Sequence, residues 1–186
     1  MTTSVRVIAF PFAGGSSLSY AKIARALPPG VAMAALDPPG HGRRMADPLL
    51  DDIDAMARDL APKVKEEAGG SPCILFGHSM GAYLALAMLD QIAAMGMPPP
   101  LRLVLSGVAP PGRVQKETTS ALPEAQFLAR VVAMGGMPAA VLDEPELLDL
   151  FGPSCAPISR QPKPTPTCAC GRTPRLCAFC ADARIR

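Results

Sequence analysis

The 186-residue chain has no tryptophan, and aromatic residues make up only 4% of it. It therefore lacks the stacked rings on which single-stranded nucleic acid is held. Charge is sparse at 18%, with a net excess of only +2. That balance gives no electrostatic footprint for nucleic acid or for an anionic membrane. No apolar run approaches the roughly 18 residues of a membrane span. Met1 to Arg6 carry no basic stretch followed by an apolar one, so no signal peptide is expected and the cytoplasm is the expected setting. Histidine is scarce as well: His41 and His78 are the two in the chain. Cysteine is scarce until late. Cys73 stands alone before Cys155, Cys168, Cys170, Cys177 and Cys180 crowd the end.

What is present is an ordinary globular core, with 49% hydrophobic residues. The length suggests one domain, with a short appendage at most. Val5 to Phe10 is a β-branched and apolar run that reads as a buried strand. A loop of small residues follows, Pro11-Phe12-Ala13-Gly14-Gly15-Ser16-Ser17. Ser19 to Leu27 reads as a helix, stopped by Pro28-Pro29-Gly30. Val31 to Leu36 is a second strand, ending in the loop Asp37-Pro38-Pro39-Gly40-His41-Gly42. Asp51 or Asp52 can cap the next helix, where Ile53, Met56, Ala57, Leu60 and Val64 recur at helical spacing. Pro62 is expected to strain or kink its second half. Cys73 to Phe76 is a third strand, Met80 to Ala94 a strong helix, and Leu101 to Leu105 a fourth strand.

Apolar strands alternating with helices predict an α/β fold, a mostly parallel sheet with helices on both faces. From about residue 110 the rhythm changes. Leu122 to Val132 and Pro145 to Phe151 read as short helices, and residues 110–153 are expected to form a helical lid. After Pro153 the pattern disappears into a stretch rich in Pro, Cys and Arg. The domain is thus expected to span residues 1–153, with a tail at 154–186.

Gly77-His78-Ser79-Met80-Gly81 is a G-x-S-x-G pentapeptide between an apolar strand and a helix. That context is the one a nucleophile elbow requires. A serine on so tight a turn projects its hydroxyl, and Gly77 and Gly81 let strand and helix backbones pass close by. The helix N-terminus brings partial positive charge to the site. The Met80 N–H is one candidate oxyanion donor. The second is expected from the small-residue loop, at Ala13 or Phe12. The plain alternative for Ser79 is an ordinary turn serine. Strand, helix and donor loop together favour the elbow.

A serine hydroxyl needs a base. His78 is on the elbow itself and points away from the place a base must occupy, so it is read as structural. His41 precedes the nucleophile, whereas α/β-hydrolases run Ser, acid, His. It is read as loop-stabilising. No histidine follows Ser79.

The chain resembles the type II thioesterases that accompany nonribosomal peptide and polyketide synthases. The matching pieces are Phe10-Pro11-Phe12-Ala13-Gly14-Gly15-Ser16, Asp37-Pro38-Pro39-Gly40-His41-Gly42-Arg43, Phe76-Gly77-His78-Ser79-Met80-Gly81-Ala82 and Gly107-Val108-Ala109-Pro110-Pro111. Gly136-Met137-Pro138 and Leu142 to Leu147 extend the match into the lid. The resemblance implies an α/β-hydrolase fold and hydrolysis of acyl thioesters on the phosphopantetheine arm of a carrier protein. Ser79 would form the acyl-enzyme, and no metal or cofactor is implied. The family's next helix, its two further strands and its catalytic Asp and His have no counterpart from Ser154 onward. Asp182 is at a plausible distance along the chain but lacks the expected surroundings. A frameshift in a GC-rich gene is the favoured explanation of the tail. A zinc site at Cys168, Cys170, Cys177 and Cys180 and an unstructured native tail are the other two. Impaired activity is therefore expected. The alternatives are a non-catalytic carrier-binding module and a small-molecule serine esterase.

Overall fold

A computed structural model describes residues 5–108, together with Gln126, Ala129, Val132, Ala133, Glu144 and Glu146. Four strands form one parallel sheet in the order β2-β1-β3-β4. They are β1 (Val5–Phe10), β2 (Val31–Ala35), β3 (Cys73–His78) and β4 (Arg102–Ser106). Each lies where the apolar runs predict it, β1 with the same bounds and the others with ends shifted by one or two residues. β1 is central, running from Val5↔Val31 along β2 and from Arg6↔Cys73 along β3. β3 pairs with β4 from Ile74↔Arg102 to His78↔Ser106.

The predicted first helix is two pieces, a 3₁₀ turn at Ser17–Tyr20 and α1 (Ala21–Ala26). The Ser16 side chain caps the turn by accepting from the Leu18 N–H. α1 buries no residue. α2 (Ile53–Ala68) and α3 (Met80–Ala94) are longer and carry the core.

α2 begins at Asp52, whose carboxylate accepts the Ala55 N–H at 2.9 Å,. Its buried stripe contains the five predicted residues plus Ala61 and Ala68. Contrary to expectation, the helix runs on through Pro62. The cause is the face on which Pro62 sits. Pro62 and Arg58 are both exposed, so the Arg58 carbonyl left without a helical partner lies on the water side. The buried stripe opposite holds both halves, at roughly 1.5–3 kcal/mol for each large apolar side chain removed from water. Gly69, at φ 57°, closes the helix, with its N–H on the Glu66 and Lys65 carbonyls,.

Right-handed crossovers place α1 on one face of the sheet and α2 with α3 on the other. The alternation along β3 agrees. Cys73, Leu75 and Gly77 are buried, while Ile74, Phe76 and His78 are half-buried. Ile8, Phe10, Cys73 and Leu75 join the α2–α3 core, with Met56, Leu60, Leu84 and Met88. β4 pairs on one side only among the described residues, and Leu101 and Val104 beside that edge are exposed.

The chain leaves β1 toward β2 and leaves β3 in the opposite direction toward β4. The point of reversal lies between β1 and β3. The crevice at the carboxyl ends of strands beside such a reversal is where open α/β sheets bind ligands.

Of the expected lid, Gln126, Ala129, Val132, Ala133 and Glu146 are helical. Glu144 is described and not helical, and the rest of the lid and the whole tail, with its five cysteines and Asp182, lie outside the described residues. Among the described residues, no helix is long and apolar enough to cross a membrane.

Candidate active site

The loops after β1 and β3 flank the reversal point, and both carry predicted site residues. Ser79 follows β3 directly. Its backbone adopts φ 53° and ψ −118°, the one positive φ outside glycine among the described residues. Such a conformation costs about 1–3 kcal/mol and persists only where its surroundings enforce it. Two glycines enforce it here. A Cβ on Gly77 would collide with the Gly81 carbonyl, and one on Gly81 would collide with the Phe10 carbonyl. The predicted elbow glycines are thus points where backbones touch.

Ser79 occupies the N-cap position of α3, where a serine usually caps the helix through its own oxygen. Its hydroxyl makes no such bond. Its N–H donates to the Ser106 carbonyl at 2.8 Å, continuing the β3–β4 ladder by one step. The Met80 N–H, at the head of a 15-residue helix, has no backbone acceptor among the described residues. The hydroxyl, which makes no cap bond, and the open helix N-terminus sit on adjacent residues.

The other predicted donors lie in a tight turn. The Gly15 N–H donates to the Phe12 carbonyl at 2.9 Å, and Gly14 takes φ 73°. That is the third-position geometry of a type II turn, which favours glycine. The N–H groups of Phe12 and Ala13 have no backbone acceptor among the described residues. Both residues are half-buried.

Neither histidine is placed as the partner of Ser79. His78 Nδ1 lies 3.0 Å from the Ser106 hydroxyl, and its ring meets that of Phe12 edge-on. His41 is buried, with Nδ1 3.0 Å from the Pro39 carbonyl. Its Nε2 has no hydrogen-bond partner among the described residues. Cys73, the other nucleophilic side chain in the core, begins β3 at the far end from Ser79. Burial pushes its thiol pKa up, which leaves it protonated and inert.

Three polar residues that sequence reasoning passed over hold the loops. Asp37, buried at the end of β2, accepts the Ser17 N–H at 2.6 Å and the Ser17 hydroxyl at 2.8 Å. It also accepts the Arg43 N–H at 3.1 Å. It thereby ties the loop after β1 to the loop after β2. A Cβ on Gly42 would strike this carboxylate. A lone acid at the carboxyl end of an apolar strand was the available signal. Tyr20 donates its hydroxyl to the Phe10 carbonyl at 2.9 Å and sets its ring against Phe76. Burial pushes its pKa up to about 12, opposed in part by the His78 backbone. Arg44 pairs with Asp59 of α2 and with Asp47, and the Asp59 hydrogen bond is the largest of the influences that raise its pKa. No group of three or more His, Cys, Asp or Glu among the described residues could hold a metal ion.

A parallel sheet with a serine elbow at its reversal point defines a protein of α/β-hydrolase type. The thioesterase domain model matches residues 5–160, and the chain belongs to that family. It is 30% identical over 151 residues to the probable cadicidin biosynthesis thioesterase of Streptomyces griseus, covering 81% of this chain and 41% of that protein. It is 28% identical over 155 residues to the medium-chain S-acyl fatty acid synthase thioesterase of Rattus norvegicus, covering 80% and 57%. Among solved structures, ClbQ from the colibactin NRPS/PKS pathway superposes with a TM-score of 0.74 at 29% identity, covering 82% of this chain and 64% of that one. The type II thioesterase YbtT of the yersiniabactin NRPS/PKS pathway gives 0.73 at 27%, covering 84% and 63%. The chain spans about half the length of the curated relatives it matches. It is related to the type II thioesterases of nonribosomal peptide and polyketide pathways.

Proposed function

We propose that this chain is an acyl hydrolase for thioesters on the phosphopantetheine arm of an acyl or peptidyl carrier protein, in the cytoplasm. Ser79 is the nucleophile. The Met80 N–H and that of Ala13 or Phe12 receive the oxyanion of the tetrahedral intermediate. The observation that carries this reading is Ser79 itself: a strained, uncapped serine at the head of a buried helix. Attack by Oγ on the thioester carbonyl forms the acyl-enzyme and releases the pantetheine thiol, and water then releases the acid.

The proton on Oγ has no imidazole to receive it among the described residues, since neither ring forms a hydrogen bond with Ser79. We therefore place the activity of this chain near the residual level of a site lacking one triad member, about 10³–10⁴ over water. The same observation favours a second reading, a non-catalytic module that binds carrier protein through the lid and elbow.

Release of thiol from an acyl-pantetheine thioester, followed for the wild-type chain and Ser79→Ala, tests the first reading. The wild type is expected to exceed the buffer rate and to carry acyl mass on Ser79, with both lost in the variant. Equal rates for the two proteins, with carrier-protein binding retained in Ser79→Ala, would establish the second reading instead.

A further inference from the structure

His78 and Ser106 form the last rung between β3 and β4. Their side chains leave the sheet on the face where Phe76 meets Tyr20, because alternate strand residues share a face,. Ser106 acts there through two groups. Its carbonyl accepts the Ser79 N–H at 2.8 Å. Its hydroxyl lies 3.0 Å from His78 Nδ1. The imidazole is further confined by Gly107, where a Cβ would come within 2.6 Å of Cε1.

The ring then reaches the loop after β1. Its centroid is 5.8 Å from that of Phe12, with the planes at 89°. The Phe12 ring in turn lies over Gly15, where a Cβ would come within 2.9 Å of it. Contact therefore runs sideways across the carboxyl ends of three adjacent strands, from Ser106 through His78 to Phe12 and Gly15. An aliphatic or phenyl side chain at position 78 could fill the same space. It could not be fixed in rotation by a hydrogen bond to position 106.

We propose that Ser106 and His78 are positioning residues for the oxyanion loop. Ser106 fixes the imidazole. The imidazole edge fixes Phe12, and with it the turn that carries the Phe12 and Ala13 N–H groups. The same Ser106 anchors the Ser79 backbone, so nucleophile and donors share one reference point. This inference rests on the assignment of Ser79 and its donors made above. An oxyanion donor acts in the transition state, so loss of its placement lowers kcat and leaves KM unchanged.

The test uses the full chain with Ser106→Ala, which keeps the carbonyl and removes the hydroxyl, and Ser106→Thr, which restores it. Amide hydrogen exchange at Gly15 reads the turn directly, through its N–H bond to Phe12. Exchange there is expected to speed up about fivefold in Ser106→Ala, as local opening becomes easier, and to recover in Ser106→Thr. Exchange at Leu60 and Val64 of α2 is expected to stay as in the wild type. Unchanged exchange at Gly15, or failure of threonine to restore it, overturns the proposal. With acyl-pantetheine thioester, Ser106→Ala is expected to lose about tenfold in kcat at constant KM. A constant kcat, or a change in KM alone, also overturns it. If wild type and Ser79→Ala release thiol equally, it is the thioesterase reading that fails, and exchange at Gly15 still decides the role of Ser106 and His78.

Discussion

On one face of the sheet α2 and α3 bury Ile8, Phe10, Cys73 and Leu75 together with their own apolar stripes. On the other, Ile74, Phe76 and His78 of β3 remain half-buried, and α1 buries nothing. The contacts differ in kind as well as extent. The first face is held by interlocking side chains such as Met56, Leu60, Leu84 and Met88. Near the second, named polar contacts join the loops: Tyr20 to Phe10, Asp37 to Ser17, and His78 to Ser106. Apolar packing is strong in sum but tolerates small shifts of direction. Hydrogen bonds contribute less net free energy, and each fixes a particular atom. The α2–α3 face thus supplies stability, and the opposite side sets where the site loops stand.

Truncation of the packed face gives the largest effect and the most direct attempt to break this contrast. Leu84 is fully buried in α3. Leu84→Ala is expected to cost about 3 kcal/mol, since a cavity replaces a well-packed side chain. Denaturant unfolding measures it. A cost below that of the polar variants would mean that the two faces do not divide the work as described.

Removal of a loop clamp comes next. Asp37→Ala leaves the Ser17 N–H, the Ser17 hydroxyl and the Arg43 N–H without their acceptor. The expected cost is about 2 kcal/mol, the penalty for stranding part-buried donors. Asp37→Asn, which keeps one acceptor oxygen, is expected to cost less. Equal losses in the two variants would show that the carboxylate charge matters more than its hydrogen bonds.

The same contrast explains what could be read from the sequence. Strands β1 to β4 and helix α3 were legible because their apolar runs report burial directly. The elbow was legible because Gly77, Ser79 and Gly81 fall between such a run and a helix. Pro62 misled because helix propensity charges proline its full interior cost and is blind to which face it occupies. Asp37, Tyr20 and Ser106 were missed for a different reason. Their partners lie 20, 10 and 28 residues away in sequence, and no local period marks such a pairing. Even His78, read as structural, gave no hint of Ser106 or Phe12. The scaffold is written in periodicity, and the placement of the site loops depends on long-range contacts that periodicity does not record.

Tyr20 offers the smallest effect at neutral pH and the finest probe of the hydrogen-bonded side. Its hydroxyl is buried and bonded to the Phe10 carbonyl, with its pKa pushed up from 10.0 to about 12. A raised acid is protonated in the folded chain where the unfolded chain has begun to lose its proton. Its stabilising contribution is therefore complete below pH 10 and is lost as pH rises through 10 toward 12,. Tyr20→Phe keeps the ring against Phe76 and removes both the bond and the titration. It is expected to cost about 1 kcal/mol at pH 7. The gap between wild type and variant should then narrow between pH 10 and pH 12, as followed by urea midpoints. A gap that stays constant across that window would mean that the Tyr20 hydroxyl is open to water, and that the end of β1 is held beside the elbow by ring packing alone.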